Sequence, residues 1–365
     1  MTKTFARAAA VGAAALLLAS CGERPDEGAG ATPGATGGAA EEKFSACMVL
    51  DVGGVDDRSF NQSSWAGLQA AQKANPDIEI SHVPSTDDAA YVPNLQAQVS
   101  KGCNTVIAVG GLMTDAVEEV ATANPDQQFA QIDAAPAADN VYGMQFNTAE
   151  GGFLAGYLSA GMTKTGKVGT WGGLNIPPVT AYMDGFWEGV QHHNKEKGTD
   201  VQVLGWDETT QQGSFSEDFL DQAKGRSITE TLISQGADIV LPVAGQSGLG
   251  AGAAAEAAKA EGKDVKLIWV DTDGCESAAQ YCPFFLTSVT KNLSGAVEEY
   301  TTAAAGGEFP EGQYLGTLEN EGTGIAPFHE FDSQVPAELK ADLDKVKAGI
   351  IDGSITITSQ SQPKE

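Results

Sequence analysis

Apolar residues in this chain come in short blocks separated by polar, glycine-rich segments. Met48, Val49 and Leu50 form one block that stops at Asp51 and runs into Gly53-Gly54. Beyond it Trp65, Leu68, Ala71 and Ala74 recur at helical spacing. Segments at 78–83, 105–109, 129–132, 168–171, 201–204, 239–243, 267–270 and 286–289 read as further strands, with 239–243 and 267–270 apolar throughout. Helical patterns at 95–99, 183–190, 228–234 and 251–260 fall between them. Runs that are apolar throughout, alternating with helices, predict an α/β fold with parallel sheets covered on both faces. Right-handed crossovers put the C-terminal ends of all strands on one edge, where ligands of such sheets bind.

The residues that follow each strand are therefore the candidate site. In the first half they are Asp51, the loop Gly53 to Asn61 with Asp57 and Phe60, Gly110-Gly111, and Asp133. In the second half they are Gly172-Gly173, the segment Gly245 to Gly250, Asp271-Thr272-Asp273, and Lys291. Each half offers glycines, carboxylates and an aromatic at the same kind of edge. That pattern predicts a cleft between two similar lobes.

Length and charge narrow the function. The 365 residues suit about two domains. With 21 Lys and Arg against 49 Asp and Glu, the formal charge of −28 repels phosphate backbones and excludes general nucleic-acid binding. The N-terminus has a basic start at Lys3 and Arg7, then an apolar run over 8–18, too short for a bilayer span of roughly 20 residues. It ends in Leu18-Ala19-Ser20-Cys21, which resembles a bacterial lipobox. The expectation is a signal at 1–21, cut before a lipidated Cys21, and a flexible tether at 22–43 rich in Gly, Ala, Pro and Glu. The mature protein would be lipid-anchored at the cell membrane, on its extracytoplasmic face. Cys47, Cys103, Cys275 and Cys282 then remain, an even number in an oxidising compartment. Disulfides are expected between Cys47 and Cys103, on neighbouring strands, and between Cys275 and Cys282, around a short loop.

Catalytic readings are weak. The glycines of Gly245 to Gly252 fit either a tight strand-to-helix turn or ligand contact, and no Gly-Lys-Ser follows them. Asp56-Asp57 suits a metal pair less well than a helix cap, with Asp57 and Ser59 the capping candidates. His192-His193 reads as a solvated helix end, and no histidine follows a strand. No Cys/His spacing indicates zinc. The expectation is a non-enzyme with no metal and no cofactor.

The segment Asp51-Val52-Gly53-Gly54-Val55-Asp56-Asp57-Arg58-Ser59-Phe60-Asn61-Gln62 resembles the opening motif of the basic membrane protein family, the purine nucleoside receptor lipoproteins of ABC transporters. Further matches follow in order at 150–156, 185–189, 213–215, 223–226, 236–240, 243–250, 270–273 and 287–291. The resemblance covers nearly all of 45–360. It implies a type I periplasmic-binding-protein fold, two Rossmann-like lobes joined by three hinge crossovers. Lobe 1 would comprise 44–147 and 274–318, and lobe 2 would comprise 148–273 and 319–365. It also implies hinge closure over a purine nucleoside (guanosine, inosine or adenosine), a membrane permease with cytoplasmic ATPases as partners, and a monomer. Carried over, Phe60 and Phe215 sandwich the base and Asp133 meets its edge, an ionised acceptor that favours guanosine or inosine. Asp57 and Asn61 line the first-lobe wall, and Gly245, Asp271 and Lys291 hold the ribose. An apparent insertion at 216–220 interrupts the motif after Phe215 and makes Phe219 its substitute. The alternatives are a receptor for a sugar or other polar ligand in the same fold, and a nucleoside hydrolase.

Overall fold

Residues 105–109 are buried at every position, as a strand covered on both faces requires. The computed structural model describes residues 43–363, so the expected signal, Cys21 and all but the end of the tether lie outside them. In chain order the first half runs β1 (Phe44–Leu50), α1 (Phe60–Ala74), β2 (Ile78–Pro84), α2 (Tyr91–Lys101), β3 (Thr105–Val109), α3 (Thr114–Ala123), β4 (Gln128–Ile132) and β5 (Val141–Phe146). Then come α4 (Thr148–Met162), β6 (Lys167–Gly172), α5 (Pro177–Lys197), β7 (Gln202–Leu204), β8 (Trp206–Asp207), β9 (Gln212–Gly213), α6 (Gln222–Ser234), β10 (Ile239–Val243) and α7 (Gly245–Ala260). The rest is β11 (Lys266–Asp271), α8 (Gly274–Ser277), β12 (Phe285–Lys291), α9 (Leu293–Ala305), β13 (Gln313–Gly316), β14 (Thr323–Ile325) and α10 (Ala337–Ile351).

Twelve of these strands build two six-stranded sheets, in the orders β13-β5-β4-β3-β1-β2 and β14-β12-β11-β10-β6-β7, and β8 pairs with β9. Within the six-stranded sheets all neighbours are parallel except β12 and β14. Side-chain alternation sorts each sheet into two cores. Met48, Leu50, Ile107 and Val109 pack toward α1 and α9, while Cys47, Val49, Val106 and Ala108 pack toward α2 and α3. In the second sheet Val168, Leu241 and Ile268 face α4 and α5, and Trp171, Val240 and Trp269 face α6 and α7. The chain passes between the sheets three times, after β5, after β12 and after β13. Sheet membership moves one expected boundary. β12 pairs with β11, so 285–291 belongs with the second sheet, against the expected lobe 1 segment of 274–318. The crossover waits until Asn292 because the apolar run 285–289 completes the second sheet.

Both expected disulfides are present. Cys47–Cys103 joins β1 to the turn just before β3 with Cα atoms 6.0 Å apart, and Cys275–Cys282 closes the loop after β11 with Cα atoms 4.5 Å apart. His192 and His193 do not form a solvated face. His193 is buried edge-on against Tyr157, and His192 lies against Phe153.

The helix pair α4 and α5 is the main contact between helices in the second lobe, and glycines create it. α4 is buried on nearly every face and so carries no amphipathic stripe to read. A Cβ on Gly185 would run into the Ala149 carbonyl, and one on Gly156 into the Phe186 carbonyl. The two backbones touch directly, which explains the glycine motifs at 150–156 and 185–189 without any ligand. We expect Gly185→Ala to destabilise the fold by roughly 1–3 kcal/mol through overpacking, measured as a lowered midpoint in urea unfolding.

Candidate functional site

The strand ends of the two sheets face one another across a cleft. Asp51, Gly53, Asp57, Phe60, Asn61, Gly110 and Asp133 line it from the first lobe. Tyr182, Phe219, Gly245, Gln246, Asp271 and Lys291 line it from the second. The space between the lining atoms, counting its open mouth, is about 670 Å³. Eight of the nine expected ligand-binding residues are gathered here: Asp51, Asp57, Phe60, Asn61, Asp133, Gly245, Asp271 and Lys291.

Phe215 is the exception. It bridges to Gly172 beside β6 and packs edge-on against Trp206, with ring centroids 5.9 Å apart, away from the cleft. Phe219 stands in the cleft instead. Residues 216–220 form a tight loop around Asp218, whose Oδ1 accepts from Leu220 N at 2.9 Å, Asp221 N at 2.7 Å and Ser247 Oγ at 3.1 Å. Ser247 N donates to the Phe219 carbonyl, tying the loop to the start of α7. Phe219 thus holds the cleft position expected of Phe215, four positions further along the chain.

On the first-lobe wall Asp57 is committed to α1. Its carboxylate accepts from the backbone N–H groups of Ser59, Asn61 and Gln62 at 2.8–3.1 Å, the capping role read from the sequence. Ser59 makes no side-chain cap; its hydroxyl instead crosses the cleft to donate to the Asp271 carboxylate. Asn61 Nδ2 donates to Asp51 Oδ1 at 2.8 Å, which leaves Asn61 Oδ1 buried and without a protein partner among the described residues. Gly110, with φ near 119°, closes over Asp51, and any Cβ there would collide with that carboxylate.

The acids at the ends of β4 and β11 are equivalent in the two lobes. Asp133 and Asp271 both adopt left-handed backbone, φ 63° and 66°, a conformation that costs energy for a residue other than glycine and gathers at functional sites. Lys291 Nζ lies 2.7 and 2.8 Å from the two Asp133 oxygens and 4.0 Å from Asp271. It also sits 4.9 Å above the centre of the Phe60 ring. Tyr182 donates its hydroxyl to Asp271 at 2.7 Å. The expected split, with Asp133 at one end of a ligand and Asp271 with Lys291 at the other, is thus replaced by a single cluster.

A family model described as ABC transporter substrate-binding protein PnrA-like matches residues 44–360. The chain belongs to that family. Among its relatives is the CD4+ T-cell-stimulating antigen of Listeria monocytogenes, 32% identical, with 97% of this chain and 98% of that protein aligned. The ABC transporter nucleoside-binding protein BmpA of Lactococcus lactis is 29% identical over 97% of this chain and 99% of its own. A solved solute-binding protein of an ABC transporter from Aeropyrum pernix superposes with a TM-score of 0.79 at 24% identity, covering 88% of this chain and 94% of that one. This PnrA-like chain therefore has the type I solute-binding fold and serves as an extracytoplasmic substrate-binding component, whose family works with permease and ATPase subunits. Among the described residues, no helix is long and apolar enough to cross a membrane.

Burial governs the electrostatics of this PnrA-like site. It pushes the Asp51 carboxyl well above the ordinary carboxylate range, opposed by the Asn61 hydrogen bond. It pushes Asp57 up to about 6 against its backbone hydrogen bonds. Asp133 is also raised by burial despite Lys291, and Tyr182 is raised by burial and then by the Asp271 charge. Sequence reasoning missed Tyr182, and it missed the cross-cleft bond from Gln246 Nε2 to the Gly53 carbonyl at 3.1 Å. Tyr182 carries no strand-end signal because it reaches the cleft from the second turn of α5.

Proposed function

We propose that this protein captures purine nucleosides between its lobes and hands them to a membrane permease. One observation carries the reading: Phe60 and Phe219, from opposite lobes, line the same cavity as the Asp133–Lys291–Asp271 cluster. Two aromatic faces suit a flat heterocycle, at roughly 1–3 kcal/mol of stacking per base. Paired acids around a lysine suit vicinal hydroxyls, which donate to carboxylates and accept from an ammonium. The nucleoside-binding relative supports the same reading. In this assignment Asp133 joins Asp271, Lys291 and Gly245 at the ribose, and Asp51 with Asn61 faces the base edge. The lobes close by hinge motion at the three crossovers. Cys21 carries the lipid that holds the receptor to the outer face of the membrane.

Titration calorimetry tests this with inosine, guanosine, adenosine and free ribose. Nucleosides binding at least ~100-fold more tightly than ribose would reflect the stacking contribution of the base. Ribose binding as tightly as any nucleoside overturns the reading in favour of a sugar receptor. Free hypoxanthine appearing during incubation with inosine would make the protein a hydrolase.

Asp51 gives a pH-dependent base preference. Its raised folded value keeps it protonated to a higher pH than an exposed aspartate. The neutral acid donates one hydrogen bond and suits the unprotonated ring nitrogen of adenine. The carboxylate only accepts and suits the adjacent N–H donors of guanine. As pH rises through the folded value, the ratio of adenosine to guanosine affinity should fall, and in Asp51→Asn it should stop responding to pH. Calorimetry across pH 5–9 checks this.

A further inference from the structure

The nucleoside cleft does not end at the Asp133–Lys291 pair. A second chamber of about 1470 Å³, counting its open mouth, lies on the other side, and Asp133, Lys291, Gly111, Leu112, Ile176 and Pro178 line both spaces. Its far walls come from both lobes and from the C-terminal segment. Thr114 and Glu118 on α3, Ala135 in the loop after β4 and Gln145 on β5 face residues 360–363. That segment is fastened to the frame: Ser361 Oγ meets Thr180 Oγ1 at 2.7 Å, and Asn147 Nδ2 donates to Gln362 Oε1 at 3.0 Å.

We propose that this chamber is a subsite for an uncharged substituent on the sugar, so that the receptor accepts nucleosides extended at the ribose as well as the parent compounds. The proposal rests on the nucleoside reading, because it is the sugar-binding cluster that forms the partition. The chamber's chemistry sets the class. Its polar lining is mostly neutral, with Thr114, Gln145, Gln360, Ser361 and Gln362. Glu118 is an acid, and the one cation in the lining, Lys291, is already held by Asp133 at 2.7 Å. A phosphate placed there meets no free positive charge and faces two carboxylates, within a protein of formal charge −28. A hydroxyl, amide or thioether group meets donors and acceptors without that penalty.

The test compares inosine, 5′-deoxy-5′-methylthioinosine and inosine 5′-monophosphate by calorimetry, on the wild type and two surface variants. The methylthio compound should bind within about tenfold of inosine, and the monophosphate at least ~100-fold more weakly. Ala135→Trp, at an exposed loop position, narrows the chamber. It should weaken the methylthio compound at least ~10-fold and leave inosine unchanged. Glu118→Lys, on the exposed face of α3, should recover roughly tenfold in monophosphate affinity. Two results overturn the subsite while leaving the nucleoside reading intact: inosine binds but the methylthio compound is weaker by ~100-fold or more, or Ala135→Trp weakens both equally. Failure of every purine nucleoside to bind removes the nucleoside reading, and the subsite with it.

Discussion

Lys291→Met should weaken nucleoside binding by at least ~30-fold, because removing one partner of a buried charged cluster costs roughly 2–5 kcal/mol. Lys291 is buried, with its ammonium between Asp133 and Asp271 and above the Phe60 ring. Methionine keeps the length and apolar stem but leaves two buried acids with no counter-charge. Like charges then face one another, so Asp133, already raised by burial, should titrate at still higher pH. The variant should therefore recover part of its binding relative to the wild type at low pH, where one acid is protonated. Calorimetry at pH 5 and pH 8 distinguishes this from simple loss of packing. Affinity within threefold of wild type at neutral pH would show that the cluster does not touch the ligand.

Phe219→Ala should cost roughly 1–3 kcal/mol in nucleoside affinity, about 5- to 150-fold, and Phe60→Ala should cost the same. Phe215→Ala should leave affinity unchanged but lower the unfolding midpoint, since Phe215 packs between Gly172 and Trp206 rather than in the cleft. The three variants together separate stacking from scaffolding. If Phe215→Ala loses binding while Phe219→Ala keeps it, the loop at 216–220 adopts a different arrangement with ligand, and the assignment reverses.

The frame was legible in the sequence because parallel strands covered on both faces must be apolar throughout. The runs at 105–109 and 239–243 could be bounded almost to the residue. Strands with polar or short ends were read less well: β1 starts at Phe44, well before the Met48-Val49-Leu50 block, and β5, β13 and β14 gave no run to recognise. α4 escaped periodicity because burial on almost every face removes the polar side that a helical pattern needs. Strand-end acids were readable one by one, since topology puts every strand's C-terminal end on the same edge.

The sequence by itself therefore determined two α/β lobes, the two cysteine pairs, and a cleft edged by Asp51, Asp133, Asp271 and Lys291. Tertiary structure alone decided which groups meet. Only the folded loop around Asp218 carries Phe219 into the cleft in place of Phe215. The closing of one sheet edge on the other likewise joins Lys291 to Asp133, 158 residues apart. The physical reason is range. Burial and helical periodicity act between neighbours along the chain and leave their pattern in its order, whereas a contact between side chains depends on angles summed over every residue between them.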